Sequence, residues 1–305
     1  MKKFLWLLLL ASLWGPSFLF IKVAVDEIPP LTLVVGRVGI AATLLFVILR
    51  FQGRKLPKVG PIWIHFAVMA LFQNALPFTL INWGEQYIDS ALAAILNGTT
   101  PLFTILLAHI FIEDDRLNLA KALGVFVGFG GLLVLISPAL FGGVQATTWG
   151  LIAVTIAAAS YGVAIVYSRL KLRGQAPLVA PTAQLTLATL YLLPLALVFE
   201  QPHRLSGPSG AAMGSLFLLA VFGTALAFVV YYRIIERASA SYVSMVTYLV
   251  PIFGVVLGVL VLNEHLRWNA FVGCTLILTG VMIVNGGLEK SLGRLRRHAN
   301  AGVRP

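Results

Sequence analysis

Two prolines, Pro101 and Pro251, stand 150 residues apart, each inside a long apolar run. A proline within a helix has no N–H, so the carbonyl four residues earlier loses its partner. Those carbonyls belong to Asn97 and Thr247. Each would offer an acceptor oxygen beside a polar side chain, which is chemistry suited to an ammonium or a hydroxyl. Pro101 lies near the middle of its run, and unpaired backbone at that depth survives only where it faces protein or a wet cavity. The other reading is a kink whose carbonyl is satisfied by a Ser or Thr hydroxyl or by a water. Both readings are open at the level of sequence.

Further polar and aromatic residues fall inside apolar runs. Trp14 and Ser17 are one helical turn apart, and Asn74 and Asn82 share a face with Phe78 midway between them. Thr100 precedes Pro101, Tyr248 follows Thr247, and Ser160, Tyr161, Gln184 and Tyr231 stand in other runs. Singly, Trp and Tyr favour membrane interfaces and Asn or Gln bridges helices. Together they nominate a lining of Trp14, Ser17, Asn74, Phe78, Asn82, Asn97, Thr100, Tyr161, Gln184, Tyr231, Thr247 and Tyr248, with Pro101 and Pro251 as helix breaks or hinges. Arg37 is the one charge clearly within a run; it could hold a substrate carboxylate, pair with a carbonyl, or snorkel outward. Lys22 closes the first run and is expected to reach the outer headgroups.

Acidic residues such as Glu85, Asp89, Glu113, Asp115, Glu236 and Glu264 fall only at ends or joins. A proton-coupled carrier of cations would bury a carboxylate. Its absence from mid-span points to a neutral or zwitterionic substrate and downhill movement, with His109 or an end carboxylate as the other route to coupling. The five histidines are scattered, and no HExxH or paired-Asp motif is present. The single Cys274 excludes an intrachain disulfide and a cysteine metal cluster. An enzyme is not indicated, and no metal or cofactor is expected.

These residues need elements to hold them. The chain is 59% hydrophobic and 11% charged, where a soluble protein carries about 25% charged residues. The apolar runs are about 20 residues long, enough to cross ~30 Å of hydrocarbon. Ten spans are expected near 4–25, 32–50, 62–84, 89–111, 117–137, 148–168, 178–199, 211–232, 240–262 and 269–287, joined by short polar segments. The opening "MKKFLWLLLLASLWG" imitates a secretory signal, but apolar sequence continues to Lys22, so it reads as an uncleaved first span. A net charge of +11 would suggest nucleic acid in a soluble protein. With the amino terminus inside, however, 18 of 22 Lys and Arg fall on the inner side and three on the outer, leaving Arg37. That bias places both termini in the cytoplasm and accounts for the charge through the bilayer alone.

An internal repeat appears at a shift near 150. "SALAAILNGTTPLFTILLAHIFIEDDRL" lies over "SYVSMVTYLVPIFGVVLGVLVLNEHL", Gly124 and Gly131 over Gly273 and Gly280, and "NALPF" (74–78) over "TALAF" (224–228). Near 147, "LWGPSFLFIK" lies over "YGVAIVYSR", and Arg37 over Gln184. Each half holds five spans, an odd number, so the second enters from the opposite face. The expected fold is an all-α membrane protein of ten transmembrane helices in two inverted five-helix repeats, 1–140 and 141–287, with a basic cytoplasmic tail, 288–305. Inverted repeats with interrupted helices are the pattern of alternating-access carriers, with the site near the midplane. The glycines of "GVFVGFGG" (124–131) serve close packing, within the chain or in a weak homodimer.

The small residues, mid-helix proline, acidic-Leu corner and Gly-rich helix of "SALAAILNGTTPLFTILLAHIFIEDDRL" and "AKALGVFVGFGGLLVLI" resemble the domain shared by the drug/metabolite transporter superfamily, in its two-domain, ten-helix EamA-type form. "SYVSMVTYLVPIFGVVLGVLVLNEHLRWNAFVGCTLILTGVMIV" repeats that end, and "LWGPSFLFIKVAV" resembles its opening. The resemblance spans nearly the whole chain, is moderately specific for the superfamily and weak for substrate. It implies spans one to four and six to nine around a central cavity, with five and ten outside. It also implies export of aromatic or neutral amino acids across a bacterial cytoplasmic membrane; relatives carry nucleotide sugars, sugar phosphates or cationic drugs. Trp14, Asn74, Thr100, Tyr161 and Tyr248 fall where amino-acid exporters of the superfamily line their cavity. On that reading Asn97, Thr100, Thr247 and Tyr248 meet the substrate's polar backbone, and Trp14, Phe78 and Tyr161 its side chain. Thr100 replaces a bulky aromatic of some relatives, which implies a wider cavity.

Overall fold

Runs of Leu, Val, Ile, Phe and Ala that are apolar on nearly every face, rather than striped, make helices suited to a solvent as apolar as their own core. The computed structural model describes residues 2–113, 117–141, 145–172, 178–235 and 246–284, and these form ten helical spans. Helix α1 runs Lys2–Trp14 and resumes as Ser17–Val25; α2 is Pro30–Phe51. Helix α3 is Ile62–Met69, a π-helical turn Ala70–Ala75, then Leu76–Gly84. Helix α4 is Ser90–Asn97 and Thr100–Phe111, α5 is Leu119–Phe141 and α6 is Ala146–Lys171. Helix α7 is Val179–Leu195 with a π-helical end Ala196–Glu200. Helix α8 is Gly210–Ala220, a π-helical turn Val221–Leu226 and Ala227–Ile235. Helices α9 (Val246–Leu262) and α10 (Trp268–Val284) complete the set. Eight spans are long and apolar enough to cross a membrane, and α9 and α10 add two shorter apolar helices. The expected start of the ninth span at 240, the corner Asp115-Arg116 and the tail 288–305 lie outside the described residues.

Eight helices close a ring by neighbour contacts in the order α1, α9, α4, α6, α3, α7, α2, α8 and back to α1. Helices α5 and α10 stand outside it, packed chiefly on each other. Glycine makes that pair possible. A Cβ added at Gly124 would fall 2.7 Å from the Gly280 carbonyl oxygen, and one at Gly131 2.8 Å from that of Gly273. The helices run antiparallel, and the two glycine pairs exchange places under the sequence shift that overlays the halves. Close backbone approach between small residues is how helices gain contact where lipid competes equally for apolar side chains. These glycines are therefore used inside the chain.

At the face opposite the amino terminus, helix starts are capped by carboxylates from the other half of the chain. Glu264 accepts from the Ser90 and Ala91 N–H groups, at 2.8 and 2.9 Å, at the start of α4. Glu200 accepts from the Leu31 N–H (2.9 Å) and from the N–H and hydroxyl of Thr32 (2.6 and 2.7 Å) at the start of α2. Glu27 accepts from the N–H and hydroxyl of Ser209, both at 2.6 Å, before α8. The first turn of a helix leaves N–H groups without partners and carries partial positive charge, so a carboxylate serves both needs. The acids that sequence placed at span ends thus tie the two halves together on this face.

Candidate functional site

The polar interior is organised by α3. Pro77 removes the N–H that the Gln73 carbonyl would use, and the chain answers with a π-helical turn immediately before it. The Ser160 hydroxyl of α6 donates to the Phe72 carbonyl within that turn, at 2.8 Å. Helix α8 carries the same device at the matching position of the second half without a proline, and there the Thr224 hydroxyl donates to the Leu219 carbonyl (3.0 Å). Turns of this kind occur often at functional sites because they re-aim side chains.

Arg37 of α2 lies between the turn of α8 and the segment of α3 that follows its own turn. It is 6% exposed, its Nε donates to Thr224 Oγ1 at 2.8 Å, and its guanidinium carbon sits 3.8 Å from the centroid of the Phe78 ring. An arginine face over an aromatic ring is attractive, and more so away from water. Of the three fates open in sequence, Arg37 does not snorkel, and it pairs with no carbonyl among the described residues. Arg37 points inward.

Along one face of α3, Asn74, Phe78 and Asn82 are all buried, and neither asparagine amide has a hydrogen bond among the described residues. A buried amide without a partner costs on the order of 1–3 kcal/mol. Such groups call for a ligand or an ordered water. On the opposite side of the ring Trp14 and Tyr231 lie against each other, tilted by 43° with centroids 5.6 Å apart. Ser17 is buried against Gly223, where a Cβ would come within 2.7 Å of the hydroxyl. Tyr161 packs against both hydrophobic clusters, and Gln184 is buried in α7. Helix α1 is interrupted at Gly15 and Pro16 beside this region; a Cβ at Gly15 would collide with Phe253 of α9.

At the break in α4 the structure takes the second of the two readings open in sequence, a kink whose carbonyl is satisfied by a Thr hydroxyl. The Thr100 hydroxyl donates to the Asn97 carbonyl at 2.8 Å, and Thr99 does the same for Leu96 at 2.6 Å. Side-chain hydroxyls one turn on have replaced the N–H that Pro101 lacks. Thr100 is thereby committed to the backbone, and the acceptor left without a partner among the described residues is the side-chain Oδ1 of Asn97. Pro251 lies inside α9, its ring against Gly98, where a Cβ would approach to 3.0 Å. The two proline sites therefore meet. The side chains of Thr247 and Tyr248 lie outside the described residues.

Lys22 also departs from expectation. Its ammonium donates to the carbonyls of Glu85 (2.6 Å) and Ile88 (2.9 Å) at the end of α3 and does not extend to the headgroups. A cation on the orphan carbonyls of a helix end is favoured by the helix dipole.

Two polar residues were missed in sequence. Thr224 anchors Arg37, and its signal was present, since the repeat lays it on Asn74. Glu85 is fully buried although it follows the last residue of α3. Nothing in the local sequence marks it, because the covering comes from distant segments.

The model of the EamA-like transporter family matches this chain twice, over residues 1–137 and 148–286. The chain is 28% identical to the uncharacterized transporter YoaV of Bacillus subtilis, over 92% of this chain and 96% of YoaV. It is 27% identical to the uncharacterized inner membrane transporter YedA of Escherichia coli, over 90% of this chain and 88% of YedA. A solved crystal structure shares the fold with a TM-score of 0.67 at 19% identity, covering 93% of this chain and 96% of that one. With both halves matched, the chain is a multi-pass membrane protein that belongs to the EamA-like transporter family.

Proposed function

We propose that this transporter exports small zwitterions, neutral or aromatic amino acids above all, from the cytoplasm by alternating access. The observation that carries the reading is Arg37, held inside the ring by Thr224 and Phe78. One buried cation suits one substrate carboxylate. The unpartnered oxygens of Asn74, Asn82 and Asn97 suit an ammonium. Phe78, Tyr161 and the Trp14–Tyr231 pair offer aromatic surface to a side chain. A nucleotide sugar or sugar phosphate, with about two negative charges, would call for further cations. A cationic drug would meet Arg37 as a like charge.

Residues 1–140 and 141–287 act on this reading as inverted halves that rock about the site, with both termini in the cytoplasm and the protein in a bacterial inner membrane. The exchangeable glycine pairs of α5 and α10, the paired π-helical turns of α3 and α8 and the Lys/Arg bias support that arrangement. The test is flux through purified protein in liposomes loaded with labelled amino acids, a nucleotide sugar and a cationic dye. Saturable amino-acid flux that Arg37→Gln abolishes is the expected result. Movement of the dye alone, or amino-acid flux indifferent to Arg37, would remove the proposal.

A further inference from the structure

The polar face of α3 does not stop at Asn82. Three residues on, still on that face, comes Glu85, fully buried, with neither carboxylate oxygen hydrogen-bonded among the described residues. Charged groups of several segments surround it without pairing with it. Lys22 of α1 binds the carbonyl of Glu85 itself and that of Ile88. Glu264, from the join between α9 and α10, is spent on the start of α4. The Lys22 ammonium, the Glu264 carboxylate and Arg37 of α2 act on the Glu85 carboxyl only through space, and Asp89 with His265 stands beside the same helix start. Helix α6 meets the end of α3 through Gly150 and Val154 and brings no charge there.

An ionised carboxylate without partner or water is far costlier than a neutral acid. The protonated form of Glu85 is therefore favoured in this conformation, in which carboxylate caps tie the two halves together on the face opposite the amino terminus. Opening that face would hydrate Glu85, a condition under which the ionised form is favoured. A residue that must be neutral to be enclosed and charged to be exposed links a proton to the conformational cycle.

We propose that Glu85 is a proton-binding site that couples transport to proton movement, exchanging one proton inward for each substrate exported. A proton from water on the outer side bonds to a Glu85 oxygen, the face closes over the neutral acid, and the O–H bond breaks again when the opposite face opens and admits water to Glu85. The proton then leaves to cytoplasmic water along the face bearing Asn82 and Asn74. Coupling replaces the downhill movement expected from the absence of a mid-span acid. The inference rests on the transport reading above but not on which zwitterion is carried.

The test has two arms, both on the full chain in liposomes. Infrared spectra at neutral pH should show the carbonyl stretch of a protonated carboxylic acid that Glu85→Gln removes; identical bands in both proteins would overturn the proposal whatever the substrate. In the second arm, vesicles made acidic inside should accumulate a labelled amino acid above equilibrium. Glu85→Gln should lose that accumulation yet still exchange label at equal pH on both sides. Accumulation by the variant equal to wild type would also overturn it. If the infrared band behaves as expected but no amino acid moves in either assay, the amino-acid reading fails and the proton site stands.

Discussion

Adjacent glycines of α5 offer a sharp test of the packing argument. A Cβ added at Gly130 meets nothing within 4 Å, whereas one at Gly131 falls 2.7 Å from the Ile277 nitrogen, 2.7 Å from Leu276 Cβ and 2.8 Å from the Gly273 carbonyl oxygen. Ordinary contact begins near 3.4 Å, so the overlap at Gly131 is about 0.6–0.7 Å against three atoms. Two of those are backbone and cannot step aside as a flexible side-chain tip would. Alanine is favoured over glycine inside a helix by about 1 kcal/mol at either position, so that gain cancels between the two variants. What remains is the overpacking cost at Gly131, about 1–3 kcal/mol, raised further if α10 moves away and its dispersion contacts with α5 weaken along the seam. Gly130→Ala should leave stability unchanged or raise it by up to about 1 kcal/mol, and Gly131→Ala should fall below Gly130→Ala by about 1–3 kcal/mol. Thermal unfolding of the two variants in one detergent, followed by tryptophan fluorescence, measures the difference directly. Coincident transitions, or Gly130→Ala as the weaker protein, would refute the close approach of α5 and α10.

Arg37→Lys should retain part of the flux that Arg37→Gln loses, because an ammonium keeps the charge but not the planar fork that spans Thr224 and the Phe78 ring. Thr224→Val removes a hydrogen bond to a charged group, worth about 1.5–3 kcal/mol, so the substrate concentration for half-maximal flux should rise about tenfold or more. Ser160→Ala strands the Phe72 carbonyl and should destabilise the protein by about 1–3 kcal/mol, with Ser160→Thr milder in the same melting experiment. Glu264→Gln weakens the cap on α4, and hydrogen exchange at Ser90 and Ala91 should accelerate in mass spectra. The Ser209 hydroxyl first, and its N–H second, hold the Glu27 carboxyl below the usual carboxylate range. A depressed value means that the contact is fully present above the unfolded value and is lost as pH falls through the folded one. Exchange at the start of α8 should therefore rise on acidification, and Glu27→Gln should flatten that dependence.

Span positions were legible because lipid demands about 20 apolar residues whatever the neighbours are, and the expected bounds of α2, α3 and α4 fall within two residues of those found. The glycines of α5 and α10 were legible for a related reason, since only small side chains permit that approach. The π-helical turns were not. A one-residue shift of face leaves no mark where the helix is apolar on nearly every side, and the turn in α3 is completed by Ser160, far along the chain. The α4 break was half legible: Pro101 marked the place, but Thr99 and Thr100 could equally have faced outward. Glu85 was misplaced in kind. Position at a span end locates a residue relative to its helix, whereas its burial depends on neighbouring segments from both halves of the chain.

The π-helical turn of α3 also changes what an insertion or deletion means there. Six residues, Ala70–Ala75, occupy a stretch in which regular helix would place one fewer. At 3.6 residues per turn, one residue is worth about 100° of rotation. Restoring regular helix at unchanged length would thus swing Phe78, Asn82 and Glu85 about a quarter of a turn off the interior, breaking the Arg37 contact. Deleting one residue from within 70–75 would instead absorb the surplus and leave that face where it is. Register in this span is carried by the turn, so the most conservative-looking edit and the most disruptive one change places.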